Sequence, residues 1–302
     1  VPWKTQNSRP TTMADPHSGL KDLIEAQLPA YLDTGSTPAV LKEAMQYALM
    51  AGGKRIRPIL VLLTNELLGG SQQQAIDTAC AIEMIHTYSL IHDDLPAMDN
   101  DELRRGMPTL HVKYDDAIAI LAGDALQSLA FETIASDQQL TDSKRVWLVR
   151  TIAAAAGPRG MVAGQMLDME GESQDIGGDA LAEMHNRKTG DLISASVMAG
   201  ACIADATDAE QQHLKAFGYS LGLAFQIRDD LLDVTGDTQT LGKPQGSDLR
   251  QNKNTFTTIY GIEGAKARLD TLRIEALKSL EPLGQRAEPL IALTHFIVDR
   301  IH

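Results

Sequence analysis

The chain has 302 residues, 43% of them apolar, and a formal charge of -13 at pH 7. That apolar share is ample for a buried core, and the acidic balance excludes a protein that grips nucleic-acid backbones over its surface. Cys80 and Cys202 lie in apolar stretches without a Cys or His at metal-ligand spacing, which argues against zinc and disulfide frameworks and fits a reducing, cytoplasmic setting.

Residues 1–12 are polar, hold two prolines and precede Met13, the expected start of the natural reading frame. Residues 1–19 are therefore read as a flexible N-terminal segment and 20–302 as a single helical domain. Apolar residues recur at helical spacing, and alternating strand patterns are nearly absent. In 40–50, Val40, Leu41, Ala44, Met45, Ala48 and Leu49 form one stripe, closed by Gly52-Gly53. Further helices are expected at 58–68, 73–92, 115–134, 142–156, 162–170, 181–204, 209–234, 255–283 and 289–301. Several are apolar on more than one face, as buried members of a large bundle are. The turns at Gly69-Gly70, Gly157-Pro158 and Gly177-Gly178 are short. The fold class is all-α, a large helical bundle. No apolar run reaches the roughly 20 residues that cross a bilayer, so membrane insertion is not expected.

Two acidic motifs interrupt this apolar pattern. In Asp229-Asp230-Leu231-Leu232-Asp233 the first and last carboxylates are one helical turn apart on one face. Like charges repel there, and the apolar flanks suggest a core helix that points acids into a cavity. A hard cation suits them, and magnesium accepts one or two carboxylates together with waters and substrate phosphates. The bland alternative is a solvated acidic turn. In Asp93-Asp94-Leu95-Pro96-Ala97-Met98-Asp99 the acids end an apolar run, and Pro96 forbids a regular continuation. Asp99 lies off the Asp93 face of an unbroken helix, so a loop at Pro96 must bring it back. His92 is read as a core or capping residue.

Basic residues gather beside these acids. Gly52-Gly53-Lys54-Arg55-Ile56-Arg57-Pro58 sets three cations in a glycine turn ahead of a helix whose first position is read as Pro58, a fitting seat for a diphosphate. Arg104-Arg105-Gly106 follows the first motif, Lys188-Thr189-Gly190 precedes an apolar helix, and Lys243 and Lys253 follow the second motif. Taken singly, Arg104 or Lys253 reads as a solvated surface side chain.

Together these motifs, with Met107-Pro108-Thr109, Arg187 and Gly222 to Arg228, resemble in order and spacing the trans-isoprenyl diphosphate synthases, from about Leu20 to the C-terminus. The resemblance implies a helical bundle around a deep central cavity and a homodimer acting on small isoprenoid diphosphates. It further implies that Asp93, Asp99, Asp229 and Asp233 coordinate magnesium, three ions per active site, with Asp94 and Asp230 in support. Arg104, Lys188, Thr189, Gln226, Lys243 and Lys253 would surround the allylic diphosphate, and Lys54, Arg57, His86 and Arg105 would hold that of isopentenyl diphosphate. Asp93, Asp99, Lys188 and Asp229 would carry most of the catalysis.

Tyr88 precedes Asp93 by five residues, ~7.5 Å along a helix axis, and Ser89 by four. An aromatic at that position resembles the farnesyl-forming members, where it floors the cavity, and the two extra residues in the first motif resemble the bacterial type. A geranyl or geranylgeranyl diphosphate synthase is the near alternative. A class I terpene cyclase would need no counterpart of Lys54 and Arg57, and a non-catalytic regulatory subunit would lack some of the acids. The C-terminus departs from members with a strongly basic tail, since only Arg300 and His302 are basic there.

Overall fold

Helix follows helix from the first described residues, as the 3.6-residue apolar period requires. The computed structural model describes residues 17–171, 176–235 and 253–300, so Lys243, His302 and residues 1–16 lie outside the described residues. In chain order the helices are α1 (Ser18–Tyr31), α2 (Ala39–Leu49), α3 (Ile56–Leu67), α4 (Gln72–Asp93), the short α5 (Leu110–Lys113), α6 (Asp116–Ser136), α7 (Asp142–Ala156), α8 (Met161–Gly171), α9 (Gly178–His185), α10 (Asp191–Ile203), α11 (Asp208–Thr235), α12 (Phe256–Leu280) and α13 (Glu288–Asp299).

Helices α3, α4 and α10 are buried on nearly every face and form the centre of the bundle. α10 bridges α3 and α11, while α6 covers α4 and α12 runs along α11. A smaller apolar cluster joins α9, α11 and α12 through Leu181, Leu223, Ile227, Phe256 and Leu269. α6 is long and apolar enough to cross a membrane by length and composition, yet it packs against α4 and α2.

Four features depart from the expected pattern. α1 lies ahead of the first helix expected and takes in residues 18 and 19 of the N-terminal segment. α3 starts at Ile56, so Pro58 is its third residue rather than its first, still within the turn whose amides need no helical partner. The helix expected at 181–204 is divided by a π-helical turn, Asn186–Gly190. A small hairpin, β1 (Leu103–Arg104) with β2 (Met107–Pro108), follows the first acidic motif. Its two-residue turn has φ 54° at Arg105 and 75° at Gly106, the left-handed pair that matches strand twist.

The π turn is clasped by two glycines. A Cβ on Gly164 of α8 would fall 2.2 Å from the Lys188 amide nitrogen, and one on Gly222 of α11 2.7 Å from the Gly190 Cα. Backbone therefore packs on backbone at the point where Lys188 and Thr189 leave the helix.

Arg55, with φ 52°, turns inward rather than toward the cavity. Its guanidinium donates to Glu83 at 2.6 Å, to the Leu49 carbonyl at 2.6 Å and to Glu25 at 3.3 Å, and the Arg55 and Glu83 side chains are 1% and 2% exposed. This pair pins the glycine turn to α4. Removing one partner of a buried pair leaves the other charge uncompensated, so Glu83→Ala is expected to cost ~3–5 kcal/mol. Chemical denaturation checks this, and an unchanged midpoint would refute the role given to the pair.

Candidate active site

Both acidic motifs stand at helix C-terminal ends. α4 ends at Asp93, with Asp94 as its cap, and Asp233 lies two residues before the end of α11. The peptide dipole already leaves partial negative charge there, so each carboxylate requires a cation or strong donors.

The turn after Pro96 does bring Asp99 back. The Asp99 amide donates to the Asp93 carbonyl at 2.9 Å, and the Met98 and Asn100 amides donate to the Leu95 carbonyl at 2.9 and 3.1 Å. Asp94 turns away into the protein, 4% exposed, where Arg104 of the hairpin grips it: Nε lies 2.9 and 2.8 Å from its two oxygens. Asp99 pairs with Lys253 Nζ at 3.3 Å. Asp93 remains half-buried, and burial, with Asp99 and Asp94 nearby, pushes its carboxyl up to about 6 against the pull of Lys188 and Arg104.

The second motif divides in the same way. Asp230, 2% exposed, accepts from the Phe256 amide at 2.8 Å and from Gln226 Nε2 at 3.2 Å. Gln226 in turn accepts from Thr189 Oγ1 at 3.2 Å. Asp229 receives Arg300 from the end of α13 at 2.5 Å, and the Arg300 guanidinium lies 4.3 Å from the centre of the Phe225 ring. Arg228 donates to the Arg300 carbonyl oxygen and fixes that end of the chain. Asp233 is half-buried at the end of the motif.

Lys188, carried inward by the π turn, donates to Asp168 of α8 at 2.6 Å. Burial pushes the Asp168 carboxyl up, but Lys188 and Lys253 outweigh it and leave the group below its ordinary value.

Across from the acids, the glycine turn and hairpin gather cations. Arg105 donates to the Gly52 carbonyl and packs over Gly53. Arg57 is 8% exposed, and its buried Nε has no hydrogen-bond partner among the described residues. Burial, with Arg57 and Arg105 nearby, holds the His86 imidazole well below its ordinary value, hence neutral. Burial and the charges of Arg300 and Arg105 bring Lys54 down to about 8 despite Asp229. These groups repel one another, and an anion among them would relieve all of them at once.

Between the two halves lies a cavity of about 330 Å3 bounded by Arg57, His86, Tyr88, Ser89, His92, Asp93, Lys188 and Thr189. α8 supplies its opposite wall with Met161, Val162, Gln165, Met166 and Met169. Sequence reasoning passed over this wall, although Val162, Met166 and Met169 share a helical face. It also passed over Asp168 and Arg300 as site residues. Tyr88 is 5% exposed, and the Gln127 side chain of α6 is the polar neighbour of its buried hydroxyl.

The donor set fits magnesium, being carboxylate oxygens that repel one another in partly apolar surroundings. Among the described residues no three acids converge as a ready-made metal cage. A cation that also binds substrate phosphates needs none.

The polyprenyl synthetase family model matches residues 38–281. A farnesyl diphosphate synthase from Geobacillus stearothermophilus is 50% identical over 258 residues, 85% of this chain and 86% of that one. The fold superposes on an FPP/GFPP synthase from Zymomonas mobilis with a TM-score of 0.83, at 37% identity over 93% of this chain and 96% of the other. A geranyltransferase from Helicobacter pylori, solved with magnesium and isoprenyl diphosphate, gives 0.80 at 35% identity over 95% and 98%.

The depressed Lys54 sets a pH dependence. An anion bound beside it favours the ammonium, so binding takes up a proton where free Lys54 is neutral, and affinity falls as pH rises through about 8. Calorimetry with inorganic diphosphate is expected to show this fall, approaching ~tenfold per pH unit well above that value. Lys54→Met should remove that component, and an unchanged profile in this variant would count against the assignment.

Proposed function

The chain belongs to the polyprenyl synthetase family, and we propose that it makes farnesyl diphosphate by condensing isopentenyl diphosphate first with dimethylallyl and then with geranyl diphosphate. One observation carries this reading: Asp93 at the end of α4, Arg57 and His86 of the cationic side, and Lys188 and Thr189 of the π turn line one apolar cavity, with Tyr88 beneath Asp93.

Asp93, Asp99, Asp229 and Asp233 would hold magnesium, three ions per site, while Asp94 and Asp230 support them through Arg104 and through Gln226 and Phe256. When bound, the metal contributes neutralisation of charge on the leaving diphosphate. Lys188, oriented by Asp168, joins Thr189, Gln226, Lys253 and Arg104 around that same group, so that the allylic C–O bond ionises. Lys243, outside the described residues, belongs to this set by its motif.

Lys54, Arg57, His86 and Arg105 take the diphosphate of isopentenyl diphosphate. This holds its double bond against the allylic carbon, and the proton then lost passes to the released diphosphate. The methionine wall of α8 excludes water from the cation. Tyr88 closes the cavity below and Ser89 lines it one residue nearer the acids.

We read the active form as a soluble, cytoplasmic homodimer in which residues 20–302 act as one catalytic unit. α6 supports the dimer: Ile120 and Leu121 are 44% and 57% exposed on a helix otherwise fit for a core.

Purified protein given isopentenyl and dimethylallyl diphosphates is expected to yield a fifteen-carbon diphosphate with magnesium and none in chelator. Product without magnesium would reject the reading. Asp93→Ala should lose several orders of magnitude in turnover, and near-normal rates at saturating magnesium would remove Asp93 from the site. Tyr88→Ala is expected to lengthen the product, as chromatography of the dephosphorylated alcohols would show. A fifteen-carbon product from that variant would sink the floor.

A further inference from the structure

Tyr88 has an aromatic partner on the cavity wall, nearer the acids. One turn later on α4, His92 packs edge-on against it, with ring centroids 5.8 Å apart and planes at 73°, and both rings line the same cavity. Behind His92 stands α6. The His92 Nε2 lies 3.2 Å from the Ile120 carbonyl oxygen and 4.0 Å from Oδ1 of Asp124.

Between those two α6 residues comes Gly123, buried in the middle of the helix. Glycine there costs stability relative to alanine, so its presence has a packing reason. A Cβ at 123 would fall 2.2 Å from His92 Nε2, 2.7 Å from Cδ2 and 3.0 Å from Cε1. The imidazole therefore occupies space that exists only because residue 123 has no side chain. The atoms met are the far end of the His92 side chain, so it is the imidazole that gives way and not the helix backbone.

We propose that Gly123 is a specificity-determining residue for product length: it lets His92 seat against α6, which leaves Tyr88 at the depth that a fifteen-carbon chain fills. The inference rests on the reading of Tyr88 as the cavity floor. A methyl at 123 drives the ring off α6. The ring lines the cavity on its other side, so once off α6 it moves into the cavity beside Tyr88 and leaves less room for the growing chain.

The test compares the products of Gly123→Ala, His92→Ala, the double variant and Tyr88→Ala at saturating isopentenyl diphosphate with magnesium. Gly123→Ala is expected to raise the ratio of ten- to fifteen-carbon product several-fold. In the His92→Ala background the same substitution is expected to change nothing, because the ring it displaces is gone. A merely structural role would lower total turnover in both backgrounds and leave the ratio alone.

An unchanged ratio, a shift to longer products, or an effect that persists without the His92 ring would each overturn the proposal. If Tyr88→Ala lengthens the product while Gly123→Ala is silent, only this inference falls; if Tyr88→Ala is silent too, the floor itself falls. Should turnover be too slow to read, calorimetry of Gly123→Ala with geranyl and farnesyl diphosphates reports the same depth. Farnesyl diphosphate weakened relative to geranyl supports the proposal, and equal weakening of the two overturns it.

Discussion

Negative charge at the C-terminal end of a helix is the constraint around which this site is built. α4 and α11 each bring a run of carboxylates to an end where the peptide dipoles already oppose them, and the surroundings are too apolar for water to do all the screening. The chain answers by division. Asp94 and Asp230 turn into the protein, one onto the Arg104 guanidinium and the other onto the Phe256 amide and Gln226. These two bonds also fasten the hairpin and the start of α12 to the acidic helices. Arg300 and Lys253, from sequence-distant segments, cover Asp229 and Asp99. Burial raises the Asp93 carboxyl even though Lys188 and Arg104 pull the other way.

The cationic side meets the mirror-image problem. Arg55 is spent on Glu83 inside the fold, whereas Lys54, Arg57 and Arg105 are buried near one another, and Asp229 and Glu83 offset that only in part. Asp229 pulls on both Lys54 and Arg57 without restoring either to its ordinary value. In the proposed reading a diphosphate would sit on each side, with magnesium held by the carboxylates, and both sets would be completed at once. Substrate binding would then relieve repulsion that folding leaves in the site, and that same surplus charge would stabilise the departing diphosphate.

Much of this could be read from the residues. The 3.6-residue period marks the buried helices, and the spacing of Asp229 and Asp233 puts them on one face. Pro96 demanded the loop that returns Asp99 to Asp93, and the structure has it. The rest was hidden for physical reasons. The π turn at 186–190 depends on close backbone contacts from Gly164 and Gly222, which are remote in sequence. The hairpin is only two residues per strand, too short for a periodic signal, and its turn had to be read from Arg105-Gly106. The α8 wall looks like an ordinary apolar helix face until the cavity opposite shows why its methionines are exposed. Arg300 reaches Asp229 only because α13 returns alongside α11.

The division of the acids is most directly tested by anomalous diffraction from crystals grown with manganese and inorganic diphosphate. The account predicts metal peaks ligated by Asp93, Asp99, Asp229 or Asp233, with Asp94 still held by Arg104 and Asp230 still on the Phe256 amide. A metal bound directly by Asp94 or Asp230, with those contacts broken, would contradict it.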